Sequence, residues 1–190
     1  MRLIVAITGG SGSVIAQRLL QNLTQHEVHL LVSDAARRVM RHELSDPALP
    51  ASFQYTESEI DACLASSSFL TDAMVIVPCS MKTLAAVAHG YAGNLIVRAA
   101  ENTLRMGRRL VLAPRETPLS LAAIENMRAA KLAGAIILPP VMAYYFQPRT
   151  VDDVTDFFAG KILDVLGIEH SLYRRWGGPR VRGHAGEEET

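Results

Sequence analysis

Three short stretches combine small, polar and charged residues in patterns that can hold an anion. Gly9-Gly10-Ser11-Gly12-Ser13 ends an apolar run. It can present backbone N–H groups and hydroxyls at the start of a helix, the chemistry of a phosphate cradle, while the plain alternative is a tight turn. Ser80-Met81-Lys82-Thr83 is a second helix start rich in donors. Arg115-Glu116-Thr117, between Pro114 and Pro118, adds a cation and a carboxylate. Together the three imply a phosphorylated ligand. The dinucleotide fingerprint G-x-G-x-x-G fits Gly10 and Gly12 but meets Ile15 at its third glycine, and Asp34 serves equally as ribose acid or helix cap. A mononucleotide is the better reading.

Other candidate chemistry weighs less. Asp152-Asp153-Val154-Thr155-Asp156 spells the D-D-x-x-D of magnesium-diphosphate sites in all-helical enzymes. Here it opens one helix, where acids complement the macrodipole. Cys79 stands near a helix start with no histidine base beside it in sequence, which fits a small buried residue better than a thiolate. Cys63 and Cys79 show no zinc-type spacing, His26 and His29 fall on opposite faces of a strand, and His89 reads as a helix-end residue. No protein-held metal is expected.

The elements that must position these residues alternate between strand and helix. Apolar runs at 2–8, 28–32, 73–77, 110–113 and 135–138 read as five buried strands. Helical spacing fills 14–23, 35–44, 81–89, 94–106, 120–133 and 151–166, with Ser33 or Asp34 capping the second helix. Residues 45–72 are the least regular, with room for a short helix near 58–65. The expected fold is a single-domain, flavodoxin-like α/β sheet of parallel strands with helices on both faces. Ligands of such sheets sit beyond the carboxyl ends of the strands, which is where the three polar stretches fall. Residues 1–176 form the expected domain. Residues 177–190, ending in Glu187-Glu188-Glu189, have no apolar pattern and are expected to be a mobile tail.

Composition narrows the class. The 190 residues are 49% hydrophobic and 20% charged, which excludes a disordered chain. Nineteen basic residues balance nineteen acidic ones, so no bulk positive field exists to hold nucleic acid or an anionic membrane. The longest apolar stretch, Leu132 to Phe146, is broken by Pro139 and Pro140 and too short to span a bilayer. With no leader pattern, a cytoplasmic protein is expected. A mean hydropathy of +0.15 suggests that some apolar surface is hidden between subunits.

Five segments carry a resemblance: Gly9-Gly10-Ser11-Gly12, Pro78-Cys79-Ser80-Met81-Lys82-Thr83-Leu84, Asn94-Leu95-Ile96-Val97-Arg98-Ala99-Ala100, Pro114-Arg115-Glu116-Thr117-Pro118 and Ala143-Tyr144-Tyr145-Phe146-Gln147-Pro148. In this order and spacing, over about residues 2–176, the chain resembles the UbiX/Pad-type flavin prenyltransferases. The resemblance implies a homo-oligomer, often a dodecamer, with sites at subunit junctions. It implies metal-independent transfer of a dimethylallyl group from dimethylallyl phosphate to N5 and C6 of reduced FMN, whose product serves UbiD-type decarboxylases, including that of ubiquinone synthesis. Carried over by position, Gly9, Gly10, Ser11, Ser33, Ser80, Met81, Lys82, Thr83 and Arg115 would hold FMN, and Arg98 would reach its phosphate from a neighbouring subunit. Tyr145 and Lys161 would bind the prenyl phosphate with Arg105 nearby, Glu43 and Glu116 would handle protons, and Trp176 would border the pocket.

These residue types suit the reaction. Negative charge builds on a departing phosphate, and Lys161, Arg105 and Tyr145 can stabilise it without a metal. Two positions depart from the family pattern, which has Lys where Arg105 stands and Arg where Lys161 stands; the charge is kept, but a fork and a point charge bind differently. The rival class, FMN-dependent decarboxylases of cysteine-derived substrates, shares fold and cofactor. It is marked by a catalytic histidine and a Pro-Ala-Ser-Ala-Asn-Thr loop, where this chain reads Gly90-Tyr91-Ala92-Gly93-Asn94-Leu95.

Overall fold

The strand side chains alternate between two helix layers. Leu3, Val5, Ile7, Val75, Val77 and Val111 face one layer, and Ile4, Ala6, Met74, Ile76, Leu110 and Leu112 face the other. All are buried, each larger one worth about 1.5–3 kcal/mol of apolar burial. This pattern builds a six-stranded parallel sheet in the order β3-β2-β1-β4-β5-β6. The computed structural model describes residues 1–45 and 48–177, so the tail expected after residue 177 lies outside the described residues.

In chain order the elements are β1 (Arg2–Ile7), α1 (Ser13–Gln21), β2 (Glu27–Val32), α2 (Asp34–Glu43), β3 (Phe53–Thr56), a 3-10 turn (Cys63–Ala65), β4 (Ala73–Cys79), α3 (Met81–Ala88), α4 (Leu95–Arg105), β5 (Arg109–Pro114), α5 (Leu121–Leu132), β6 (Ile136–Ile137) and α6 (Val151–Leu166). Ile15, Leu19, Met40, Phe158 and Ile162 bring α1, α2 and α6 onto the first face, and Leu84, Leu95, Ile96 and Ala130 bring α3, α4 and α5 onto the second.

One strand corrects the sequence reading. β3 lies in the stretch expected to be irregular, and the short helix expected at 58–65 shrinks to the 3-10 turn. The sequence Phe-Gln-Tyr-Thr is an edge strand whose side chains are exposed or half-buried, so it shows no continuous apolar run. It pairs with β2, and Phe53 and Tyr55 stack on the buried His29 with ring centroids 4.8 and 5.9 Å away. The sixth strand makes the order that of a doubly wound sheet, whose winding reverses between β1 and β4. No helix among the described residues is long and apolar enough to cross a membrane.

Candidate active site

The crevice at the reversal is closed by one threonine. Thr8 follows β1 and is 2% exposed. Its hydroxyl donates to the Pro78 carbonyl at 2.8 Å and accepts the Ser80 N–H at 2.7 Å, locking the ends of β1 and β4 into one rim. Nothing in the sequence reading singled out Thr8; the signal was a lone polar residue between an apolar run and Gly9. Ser80 then caps α3, its Oγ accepting the Thr83 N–H at 3.3 Å. Lys82 and Thr83 border a small cavity with Tyr91, Asn94 and Val97.

The glycine loop on the other rim is shaped by close approach. A Cβ on Gly9 would lie 2.7 Å from the Ala35 Cβ, so only glycine lets the start of α2 come this near, and Ser33 caps that helix by accepting the Ala36 N–H at 3.1 Å. Gly12 takes φ +108° as it enters α1. A carboxylate of the chain itself sits at that helix end. Glu43 accepts the N–H groups of Gly12 at 3.0 Å and Ser13 at 2.8 Å, and the Ser13 hydroxyl as well. Partial burial works to raise the Glu43 pKa, but the hydrogen bonds from Ser11, Ser13 and Gly12 outweigh it and hold the carboxyl below its ordinary value. The Gly12 and Ser13 donors of the expected phosphate cradle therefore serve Glu43. Ser11 remains at the crevice, lining a narrow cavity with Val77, Pro78, Pro140 and Ile162.

Beyond Pro140 the crevice widens to a cavity of about 420 Å³ bordered by Arg115, Glu116, Met127 and Val141. Among the described residues neither Lys82 nor Arg115 has a side-chain hydrogen bond or ion pair. The Glu116 carboxylate accepts, among the described residues, only the N–H of its neighbour Thr117, at 3.1 Å. Arg115 and Glu116 give this cavity charges of both signs, which suit a polar ligand, and Lys82 borders the separate cavity beside α3.

An aromatic cluster lies against α6. Tyr145 meets Phe157 at 6.2 Å and Trp176 at 5.7 Å, both edge-on, and Phe157 meets Tyr173 at 5.0 Å. Lys161 lies on α6 with Nζ 5.9 Å from the Tyr173 ring centroid. Tyr145, Lys161 and Trp176 thus share one cluster beside α6.

Arg98 and Arg105 lie elsewhere. Both pair with Glu101, at 3.3 and 2.5 Å, and Arg98 Nε donates to the Ala65 carbonyl at 3.2 Å. They share a face of α4 turned toward the 3-10 turn, and Arg105 sits at the helix end that leads to the amino end of β5. One chain does not bring them to the crevice. Asp153 closes a capping box with Thr150 at the start of α6, and Asp152 and Asp156 pair with Arg18, contacts the sequence did not show. Burial pushes the Cys79 thiol up to about 12, so it is an inert core residue.

Comparisons with known proteins agree with this fold. The Flavoprotein family model matches residues 1–163. The chain is 43% identical over 182 residues to the flavin prenyltransferase UbiX of Methanocaldococcus jannaschii, covering 93% of this chain and 99% of that protein. Among solved structures it superposes with TM-score 0.90 and 38% identity on AnUbiX (PadA1) in complex with FMN and dimethylallyl pyrophosphate, covering 93% and 97% of the two chains. It superposes with TM-score 0.88 and 42% identity on a dodecameric FMN-dependent UbiX-like decarboxylase from Escherichia coli O157:H7, covering 94% and 100%. The FMN-dependent cysteine decarboxylase SpaF is 19% identical at TM-score 0.60 over 73% of this chain and 83% of that one, a likeness of fold alone.

Proposed function

The chain belongs to the Flavoprotein family and, within it, to the UbiX-type flavin prenyltransferases; it is a flavin prenyltransferase, and we propose that it joins the dimethylallyl group of dimethylallyl phosphate to N5 and C6 of reduced FMN without a metal. The observation that supports the finer reading is that Lys82, at the start of α3, and Arg115, above β5, are cations without a side-chain partner among the described residues, each bordering a cavity at the carboxyl edge of the sheet, while Tyr145 and Lys161 both reach the aromatic cluster on α6.

Those residues fit FMN. The amino end of α3, with Ser80, Met81, Lys82 and Thr83, suits the flavin's phosphate and polar chain. Gly9, Gly10, Ser11, Ser33 and Arg115 frame the space above β1, β2 and β5. Reduced FMN supplies the two nucleophilic positions that the prenyl group joins. The chain does the rest. Lys161 holds positive charge, and Tyr145 a hydroxyl, for the phosphate oxygens on which negative charge grows. Glu116, bordering the cavity and without an ion pair among the described residues, takes the proton released at C6. Glu43 is an acceptor tied to the crevice through Ser11, so a proton passed to it travels by that hydroxyl.

Arg98 and Arg105 act in this reading on a site held by a neighbouring chain, which makes the working enzyme a homo-oligomer; the dodecameric relative supports that assembly. The product passes to a UbiD-type decarboxylase in the cytoplasm. Turnover of reduced FMN with EDTA present, supplied in parallel with dimethylallyl phosphate and diphosphate, tests donor and metal together. Turnover of the monophosphate is expected. Strict magnesium dependence would overturn both assignments.

A further inference from the structure

One carboxylate anchors the chain where it returns over α6. Gly167, with φ +75°, ends the helix, and the segment that follows runs back across it. Asp164 Oδ1 accepts from Arg175 Nη2 at 2.6 Å and from His170 Nε2 at 3.0 Å. Its Oδ2 accepts the Tyr173 hydroxyl and faces Lys161 Nζ at 3.5 Å. The Leu172 N–H donates to His170 Nδ1 at 3.2 Å, which places that ring's proton on Nε2, toward Asp164. Gly160 makes room, since a Cβ there would come within 2.7 Å of both His170 and Tyr173. The anchored segment sets Trp176 against Tyr145.

Two cations face this one negative charge. Arg175 holds the closer position, and Tyr173 and His170 take further acceptor capacity on both oxygens. Lys161, at 3.5 Å and 44% exposed, is left loosely held. Remove Arg175 and the nearest unspent cation on the same helix, three residues from Asp164, is Lys161. We propose that Arg175 is a positioning residue: by engaging Asp164 it keeps the Lys161 ammonium free for the anionic leaving group of the prenyl donor. This rests on the reading of Lys161 as the phosphate contact given above.

The test uses the flavin-loaded enzyme and variants Arg175→Met, Arg175→Lys, Asp164→Asn, the double variant Arg175→Met/Asp164→Asn, and Lys161→Ala. Steady-state prenylation gives KM for dimethylallyl phosphate, FMN titration gives flavin affinity, and fluorescence of Trp176, the single tryptophan, reports docking of the segment. Arg175→Met is expected to raise KM about tenfold, the worth of one charge-assisted contact, with FMN affinity unchanged. Arg175→Lys is expected to stay near wild type. Asp164→Asn in the Arg175→Met background is expected to recover most of the loss, because the competing charge is gone. A purely structural role predicts the opposite, with the double variant worse than either single one; that result, or an unchanged KM in Arg175→Met, overturns the proposal. If Lys161→Ala also leaves KM unchanged, the underlying assignment of Lys161 fails instead.

Discussion

Glu43 accepts the backbone N–H of Ser13 at 2.8 Å and its hydroxyl too, so a side chain of the protein fills the amino end of α1. The contact joins the end of α2 to the loop after β1 and fixes one rim of the crevice. Glu43→Ala leaves the donors of Ser11, Gly12 and Ser13 without this acceptor and is expected to cost about 1–3 kcal/mol in urea unfolding. The pH dependence has a definite sign. Because the folded carboxyl lies below its ordinary value of 4.5, its contribution is complete above that value and is lost as pH falls through the lowered one. Glu43→Gln is expected to flatten the acid side of the stability profile. An unchanged midpoint in both variants contradicts the contact.

Thr8 supplies the second structural prediction. Thr8→Val keeps the shape but strips Ser80's half-buried N–H of its acceptor and the Pro78 carbonyl of its hydroxyl donor, at an expected cost of about 1–3 kcal/mol. Because the rim at α3 loosens, FMN affinity should fall as well, whereas Thr8→Ser should preserve both. Thermal unfolding with flavin titration on the same samples decides it; a stable Thr8→Val protein with full FMN affinity contradicts the rim's role.

Much of this arrangement was legible in the sequence because parallel strands are buried on both faces. Their apolar runs stand out, and the polar clusters that interrupt them mark the carboxyl edge, as at Gly9–Ser13, Ser80–Thr83 and Arg115–Thr117. β3 was not legible, since an edge strand needs no apolar run: it is held by pairing with β2 and by stacking on His29. Nor was the contact of Glu43 with a loop thirty residues earlier, because spacing along the chain says nothing of which carboxylate a loop folds against. The roles proposed for Arg98 and Arg105 have a similar root: those side chains pair with Glu101 away from their own crevice, so the roles would need another chain.

The shared site can be tested by complementation. Lys82→Ala is expected to weaken FMN binding through the crevice of its own chain, and Arg98→Ala through that of a neighbour. Mixed oligomers of the two variants should then regain a fraction of intact sites. Isothermal titration of the co-assembled protein reads this directly; no recovery above either parent means that each chain binds flavin alone.

Lys161 separates leaving-group stabilisation from flavin binding. Lys161→Ala should leave FMN affinity nearly unchanged and slow prenyl transfer by roughly a hundred- to a thousandfold, about 2.7–4 kcal/mol of barrier. Lys161→Arg should recover much of that rate because the charge returns. Single-turnover prenylation with parallel FMN titration measures both. Loss of FMN in Lys161→Ala would assign the residue to the flavin.

In the proposed reaction this crevice builds a carbon–nitrogen and a carbon–carbon bond on the flavin. Its most direct test is anaerobic incubation of purified protein with reduced FMN and dimethylallyl phosphate, followed by mass spectrometry of the released flavin and assay of free phosphate. The account predicts a flavin heavier by one C5H8 unit, with one phosphate released for each flavin converted. FMN recovered unchanged, with dimethylallyl phosphate intact beside it, would contradict it.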